Sequence, residues 1–174
     1  MEEEKGIVNR VANSPITVLE LDNYYRHGER VVLDIKDQLH EGLILREKEF
    51  RNFIKDTDWS VYAEKFVAIT CSADAIVPSW AYMLLAAAIQ PFARGVVFGS
   101  LEVLEERLLL DSLAGEDWDR YRDKRIVVKG CSKVSVPPSV YVEVTRRLRP
   151  LAGSLMFGEP CSTVPVFKKP GRLK

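Results

Sequence analysis

Short β-branched apolar runs alternate along the chain with longer segments of helical character. The runs predict strands near residues 30–35, 66–71, 95–99, 125–131 and 153–158. Residues 45–55 have the spacing of an amphipathic helix, and residues 79–88 and 139–149 predict two more. Residues 16–21 suit a short strand or the start of a helical turn. The alternation predicts an α/β fold with three layers: a mostly parallel sheet and helices on both of its faces.

The pattern of residues 66–99 returns in residues 125–158. Each copy has an apolar run ending in Cys-Ser, a loop reaching Val-Pro, a helix closed by a proline, and a second apolar run ending in Phe-Gly. Upstream, Asp58-Trp59 and Tyr62 recur 59 positions later as Asp117-Trp118 and Tyr121. We therefore expect a tandem repeat of about 59 residues, covering about 36–95 and 96–158.

The length of 174 residues suits one compact domain. We expect a flexible lead-in at residues 1–15, a single α/β domain at 16–167 and a basic tail at 168–174. Lys plus Arg and Asp plus Glu number 25 each, a balance that argues against nucleic acid as a partner. The acidic start is unlike a secretory signal, and the longest apolar run, 80–89, is shorter than the roughly 20 residues that span a bilayer. We expect a cytoplasmic protein without a membrane partner.

The helices of the two repeats differ in composition. Residues 79–88 are apolar on nearly every side, whereas 139–149 carry Glu143, Arg146, Arg147 and Arg149. An all-apolar helix is typical either of a central position over the sheet or of a subunit interface. A homodimer through the helix from Trp80 to Ile89 is therefore one expectation.

Three cysteines are the main candidates for chemistry. Cys71, Cys131 and Cys161 are each followed by serine and, a few residues on, by Val-Pro. Loops after parallel strands emerge at one edge of a sheet, so we expect the thiols to share a crevice there. Such a cluster would hold zinc, iron or an iron–sulfur cluster. The possible fourth metal ligands are Asp74, Glu159 and His40, and the possible cofactor contacts are Ser72, Ser132 and Ser162.

Other interpretations stay open at this point. The long spacing between the cysteines lacks the paired ligands of most zinc sites, and cysteines at strand ends are often small buried hydrophobes. Cys71 is alternatively a nucleophile for sulfur or acyl transfer, activated by a helix N-terminus and by His40. A third alternative is a non-catalytic structural or dimeric module. No GxGxxG, GxxxxGK[ST], GxSxG, HExxH or CxxC motif occurs, which removes support for a nucleotide cofactor and favours a non-catalytic role.

The chain resembles an uncharacterised bacterial family, domain of unknown function family 2480, over nearly its whole length. The resemblance is carried by IVNRVANS, GERVVLDIKDQL, GLILREKEFR, KFVAITCSADAIVPSWAYMLL, KGCSK and FGEPCSTVPV. It implies no established activity or catalytic residue. It does imply a genomic context near iron–sulfur cluster assembly, from which we expect an accessory protein with assembly proteins as partners.

Overall fold

The computed structural model of the chain describes residues 16–130 and 135–170. Within these residues it is a mixed α/β structure with two sheets and four α-helices, and most of the strand pairs are parallel. Contacts divide the chain into two compact units. The central unit is Arg26–Asp111, and the terminal unit comprises the described residues of 16–25 and 112–170.

The strands and helices follow one another in near alternation. The strands are β1 (Ile16–Glu20), β2 (Arg30–Asp34), β3 (Phe66–Thr70), β4 (Gly95–Phe98), β5 (Arg125–Lys129), β6 (Ser154–Glu159) and β7 (Ser162–Lys168). The α-helices are α1 (Glu47–Asp56), α2 (Ser79–Ile89), α3 (Leu101–Leu113) and α4 (Pro138–Leu148). Short 3₁₀ turns lie at Leu21–Tyr24, Lys36–Gln38, Trp59–Tyr62 and Trp118–Tyr121.

The central unit holds a parallel sheet in the order β2–β3–β4. Its middle strand is buried on both faces, because alternate side chains of a strand point in opposite directions. Val67 and Ile69 belong to one apolar cluster with α1 and α2 residues such as Leu85. Phe66 and Ala68 belong to a second cluster with Leu104 and Leu108 of α3. Burial of this kind explains why β3 has a continuous apolar sequence.

The terminal unit holds the sheet β1–β5–β6–β7. The pairs β1–β5 and β5–β6 are parallel, whereas β6 and β7 form an antiparallel hairpin. The middle strand β5 is again apolar and buried at Ile126, Val127 and Val128. Strand β1 continues directly into the 3₁₀ turn, so both structures that the sequence suggested for this segment occur in succession.

The predicted α/β class with mostly parallel strands is confirmed, and the predicted strands and helices lie close to the observed ones, whereas the three layers and the 59-residue repeat stay predictions. Two features differ: the strands form two sheets where one was expected, and β7 was not predicted. The sequence analysis assigned no element to Val164-Pro165, which lies within β7, an edge strand, where proline is tolerated. The lead-in at 1–15 and the tail end at 171–174 lie outside the described residues. The single domain at 16–167 stays a prediction.

Candidate functional site

The cysteines follow strands that belong to different sheets. Cys71 follows β3 in the central unit and is half-buried, and its thiol donates a weak hydrogen bond to the carbonyl of Ala73 at 3.8 Å. Cys161 is exposed in the turn of the β6–β7 hairpin of the terminal unit. Cys131 and the adjacent Ser132 lie outside the described residues. The third Cys-Ser motif therefore lies at the start of a strand, since Ser162 is the first residue of β7, unlike the first motif, which precedes a helix.

The structure contradicts the predicted metal-binding or iron–sulfur function. Across residues 16–130 and 135–170, no three or more His, Cys, Asp or Glu side chains are grouped so that they could hold a metal ion. The physical reason lies in the topology: the prediction assumed one sheet edge for all three thiols, and two sheets replace it. Cys71 as a nucleophile and Ser162 as a cofactor contact stay predictions.

Two of the three proposed fourth ligands have other partners. The Nε2 atom of His40 lies 2.6 Å from the guanidinium of Arg46, and since guanidinium only donates, this imidazole nitrogen accepts. The Glu159 carboxylate forms a 3.2 Å ion pair with Lys129, which raises the pKa of that lysine. Asp74 is exposed in the loop between β3 and α2. These side chains thus belong to separate local contacts.

Ser72 joins the ends of two neighbouring strands. Asp34, the last residue of β2, accepts hydrogen bonds from the Ser72 hydroxyl at 2.5 Å and from the Ser72 backbone at 3.1 Å. It also accepts from the Lys36 backbone at 3.0 Å. The bonds from Ser72, and then that from Lys36, lower the pKa of the Asp34 carboxyl. The sequence signal for this contact was a carboxylate and a hydroxyl at the ends of two strands. The contact ties the ends of β2 and β3 together.

An apolar helix face lies exposed on the central unit. Helix α2 buries Ala81, Leu85 and Ile89 at a spacing of four residues, and its opposite side carries Met83 and Ala87. The Met83 side chain is 71% exposed. No residue of α2 is charged. We call the outward-facing side of this helix, Met83 and Ala87 with the half-buried Tyr82, Leu84 and Ala86, the α2 surface.

Three further apolar side chains precede the helix. Leu43, Ile44 and Ile76 are 60%, 62% and 90% exposed. Ile44 and Ile76 form an isolated parallel β-bridge, which holds the two residues side by side. Monomeric proteins rarely expose large contiguous apolar areas, so this patch adds to the evidence for a contact surface on the central unit.

Helix α4 of the terminal unit provides a contrast. It buries Val140, Val144 and Leu148 at the same spacing, so burial does not distinguish it from α2. Its outer side carries an ion-pair group in which Glu143 accepts from Arg146 and Arg147, each at 2.7 Å. Hydrogen bonds from Arg146 and then Arg147 lower the pKa of the Glu143 carboxyl to about 2. This helix has the charged outer face of an ordinary solvated surface.

A cleft of about 370 Å³ in the central unit is lined by three arginines, Arg26, Arg94 and Arg107. Such a group suggests an anion site, but Arg107 and Arg94 are already paired with carboxylates. Arg107 pairs with Asp111 at 2.9 Å, and Arg94 pairs with Glu64 at 3.4 Å. The local charge therefore gives little support to a bound anion.

A partly buried hydrogen-bonded group in the terminal unit is structural in character. Tyr24 and Tyr121 both donate to the carboxylate of Glu116, the latter at 2.9 Å, and Arg120 pairs with the same carboxylate at 2.8 Å. Burial is the main cause that raises the pKa of both tyrosines. The group links the 3₁₀ turn after β1 to the 3₁₀ turn before β5.

Comparisons with known proteins give one result. No curated protein and no solved structure matches the chain. None of the helices that the structure describes has both the length and the apolar character to cross a bilayer. The model of a protein family described as "protein of unknown function (DUF2480)" matches residues 5–169, nearly the whole chain. The chain therefore belongs to this family.

Proposed function

We propose that the protein is an interaction module that forms a homodimer through the α2 surface. The observation that carries the proposal is the 71% exposure of Met83 on a helix without a charged residue. Water contact along such a face costs about 25 cal/mol per Å² of apolar area, and contact with a second copy removes that cost. The equivalent side of α4 shows that this fold does not require an apolar outer face.

A second copy is the occupant that the surface suits best. In a dimer with two-fold symmetry the same patch meets itself, so any charge on the patch would face its own copy. The α2 surface has no such charge, and its alanines allow two helices to approach closely. The chain has a formal net charge of zero, so no long-range repulsion opposes association.

The helix alone does not supply the whole interface. Eleven residues extend over about 16 Å, and one face of that length falls short of the roughly 800 Å² per partner that stable interfaces bury. The patch of Leu43, Ile44 and Ile76 is the further apolar surface that we assign to the contact. This arrangement gives the exposed isoleucines a role.

We also infer that the two strand–helix–strand segments are copies of one unit, about 59 residues apart. Support comes from paired features of the backbone: Glu64 and Asp123 have φ values of 60° and 58°, and Gly99 and Gly158 have φ values of 137° and 120°. Further support comes from the edge-to-face ring pairs Tyr82–Phe98 and Tyr141–Phe157. The helices on both faces of β3 support a three-layer arrangement for the central unit.

A cytoplasmic location fits the proposal. Among the described residues, Cys71 and Cys161 are free thiols, as is usual in a reducing compartment. The expected contact with iron–sulfur assembly proteins stays a prediction.

Sedimentation equilibrium tests the dimer. We expect the natural chain to be dimeric at micromolar concentration, and Met83→Glu to be monomeric because the substitution brings two carboxylates together at the two-fold axis. Val142→Glu on α4 is the matched control, since Val142 is 68% exposed and should leave the dimer intact. A natural chain that stays monomeric at high micromolar concentration, or equal dissociation of both variants, would contradict the proposal.

A further inference from the structure

An apolar cavity of about 380 Å³ lies in the terminal unit, between α4 and the β6–β7 hairpin. Its floor is formed by Val128 and Leu155, which are 5% and 1% exposed. Helix α4 contributes Thr145, and β7 contributes Val164 and Val166 at the rim. The volume is within the range of about 300–1,000 Å³ that is usual for small-molecule sites.

The rim leaves large apolar side chains in contact with water. Val164 and Val166 are 63% and 51% exposed, and Phe157 is 43% exposed. None of the lining residues that the structure describes is charged. Water held there would find few polar partners, so an apolar occupant would displace it favourably.

One wall is held in place by close packing. The rings of Tyr141 and Phe157 stand perpendicular with centroids 5.5 Å apart. The Tyr141 hydroxyl lies so near Gly130 that a Cβ atom there would be only 2.9 Å from it. Glycine at this position therefore permits the tyrosine to stand against the strand end, and the cavity is preformed on this side.

The backbone of the rim disfavours a peptide that would bind as an additional β-strand. Strand β7 is an edge of its sheet, and a peptide that added to this edge would need its backbone N–H groups. Pro165, in the middle of β7, has no N–H group. The uncharged lining within residues 16–130 and 135–170 likewise disfavours an ion or an ionic headgroup inside the cavity.

We propose that this cavity binds a free small molecule through an uncharged apolar part, an aliphatic chain or an aromatic ring. The site is specific to the terminal unit, because in the central unit β4 is followed by α3 and no hairpin strand closes the equivalent space. It is separate from the α2 surface, so the proposal goes beyond the dimer and does not depend on it.

Titration of the full chain with decan-1-ol, followed by methyl NMR, tests this site. We expect saturable binding with a submillimolar dissociation constant and the largest shifts at Val128, Leu155, Val164 and Val166. Thr145→Trp, which fills the cavity, should weaken binding at least tenfold. The control is Arg147→Trp, which places the same side chain on the same helix at an exposed position and should bind as the natural chain does.

Val166→Asp keeps the test valid if Thr145→Trp fails to fold, since Val166 is exposed and a charge at the rim should also weaken binding at least tenfold. A second titration uses 1-naphthol, which separates ring ligands from chain ligands; saturable binding of either supports the site. Equal, non-saturable shifts in the natural chain and both variants would overturn it. Binding to phosphatidylcholine vesicles without saturable binding of decan-1-ol or 1-naphthol would also overturn it, because the rim would then be a lipid surface.

Discussion

The segments β3–α2–β4 and β5–α4–β6 have closely similar frameworks and different outer surfaces. Helix α2 spans Ser79–Ile89 and α4 spans Pro138–Leu148, eleven residues each, and both bury three residues at a spacing of four. One helix presents Met83 without a charged neighbour in the helix, and the other presents the Glu143 ion-pair group. The buried positions determine the shared framework, whereas the outer positions are free to differ and carry the evidence for function.

Substitutions at the buried positions of α2 and α4 should have the largest effects on the free energy of unfolding. Leu85 in α2 and Val144 in α4 are each the seventh residue of their helix, and both are fully buried. Leu85→Ala should lower the free energy of unfolding by about 2–5 kcal/mol, and Val144→Ala by about 2 kcal/mol, because fewer methyl groups are lost. Urea denaturation measures both. A loss below about 1 kcal/mol at either site would mean that the equivalence of the two helices does not extend to their cores.

Trp59 and Trp118, which stand 59 positions apart, should differ in how much stability is lost when each is replaced by phenylalanine. The indole N–H of Trp59 donates to the carbonyl of Ile54 at 2.8 Å, whereas the buried indole N–H of Trp118 has no partner within the part of the chain that the structure describes. Trp59→Phe should therefore cost about 1 kcal/mol more than Trp118→Phe, because only the former breaks a hydrogen bond. Thermal denaturation of the two variants gives the difference, and equal losses would argue against it.

Substitutions of two residues with left-handed backbone conformation, one in each unit, should have a smaller effect on the free energy of unfolding. Glu64 and Asp123 both have φ near 60°, which is unfavourable for a side chain. Glu64→Gly should raise the free energy of unfolding by up to about 1 kcal/mol. Both substitutions also remove an exposed ion pair, which is 3.4 Å long between Glu64 and Arg94 and 2.7 Å long between Asp123 and Lys169. Asp123→Gly breaks the closer pair and should therefore be nearly neutral. Destabilisation by Glu64→Gly, again measured in urea, would contradict the prediction.

The smallest effect is the pH response of the α4 surface. The pKa of Glu143 is about 2 in the folded chain, below the usual value for glutamate. Because the folded pKa is the lower one, any stabilisation from the pair is fully present above about pH 4.5 and is lost as the pH falls toward 2. An NMR titration of the Glu143 carboxyl carbon should show this midpoint, and Arg146→Gln should raise it. A midpoint near 4 in the natural chain would contradict the ion-pair geometry.

Local patterns predicted the elements well because their causes are local. The strand at residues 66–71 followed from a continuous apolar run, which reflects burial of β3 on both faces. The pairing of β1 with β5, far apart in the chain, leaves no such pattern, so the division into two sheets was not predictable. The Cys-Ser-x-Val-Pro motif of residues 161–165 led to a wrong prediction for the same reason. It lies in the β6–β7 hairpin, whereas the similar sequence that begins at Cys71 lies before helix α2.

The cavity was also missed, although its signal was present. Val164 and Val166 alternate with Thr163 and Pro165, as in an edge strand with one apolar side, but no strand was assigned to these residues. The α2 surface, in contrast, was visible as a helix without charges. Composition thus indicated the proposed contact surface, while only the three-dimensional arrangement indicated the cavity.

The most direct test of the dimer is oxidative cross-linking at position 83. Met83 lies near the middle of α2, so at a two-fold helix crossing it meets its own copy within the Cβ separation of about 3.5–4.5 Å that a disulfide needs. In a chain with Cys71→Ser, Cys131→Ser and Cys161→Ser, we expect Met83→Cys to give covalent dimers rapidly and Val142→Cys to give almost none. Equal cross-linking at the two positions, or none at position 83, would contradict the dimer through α2.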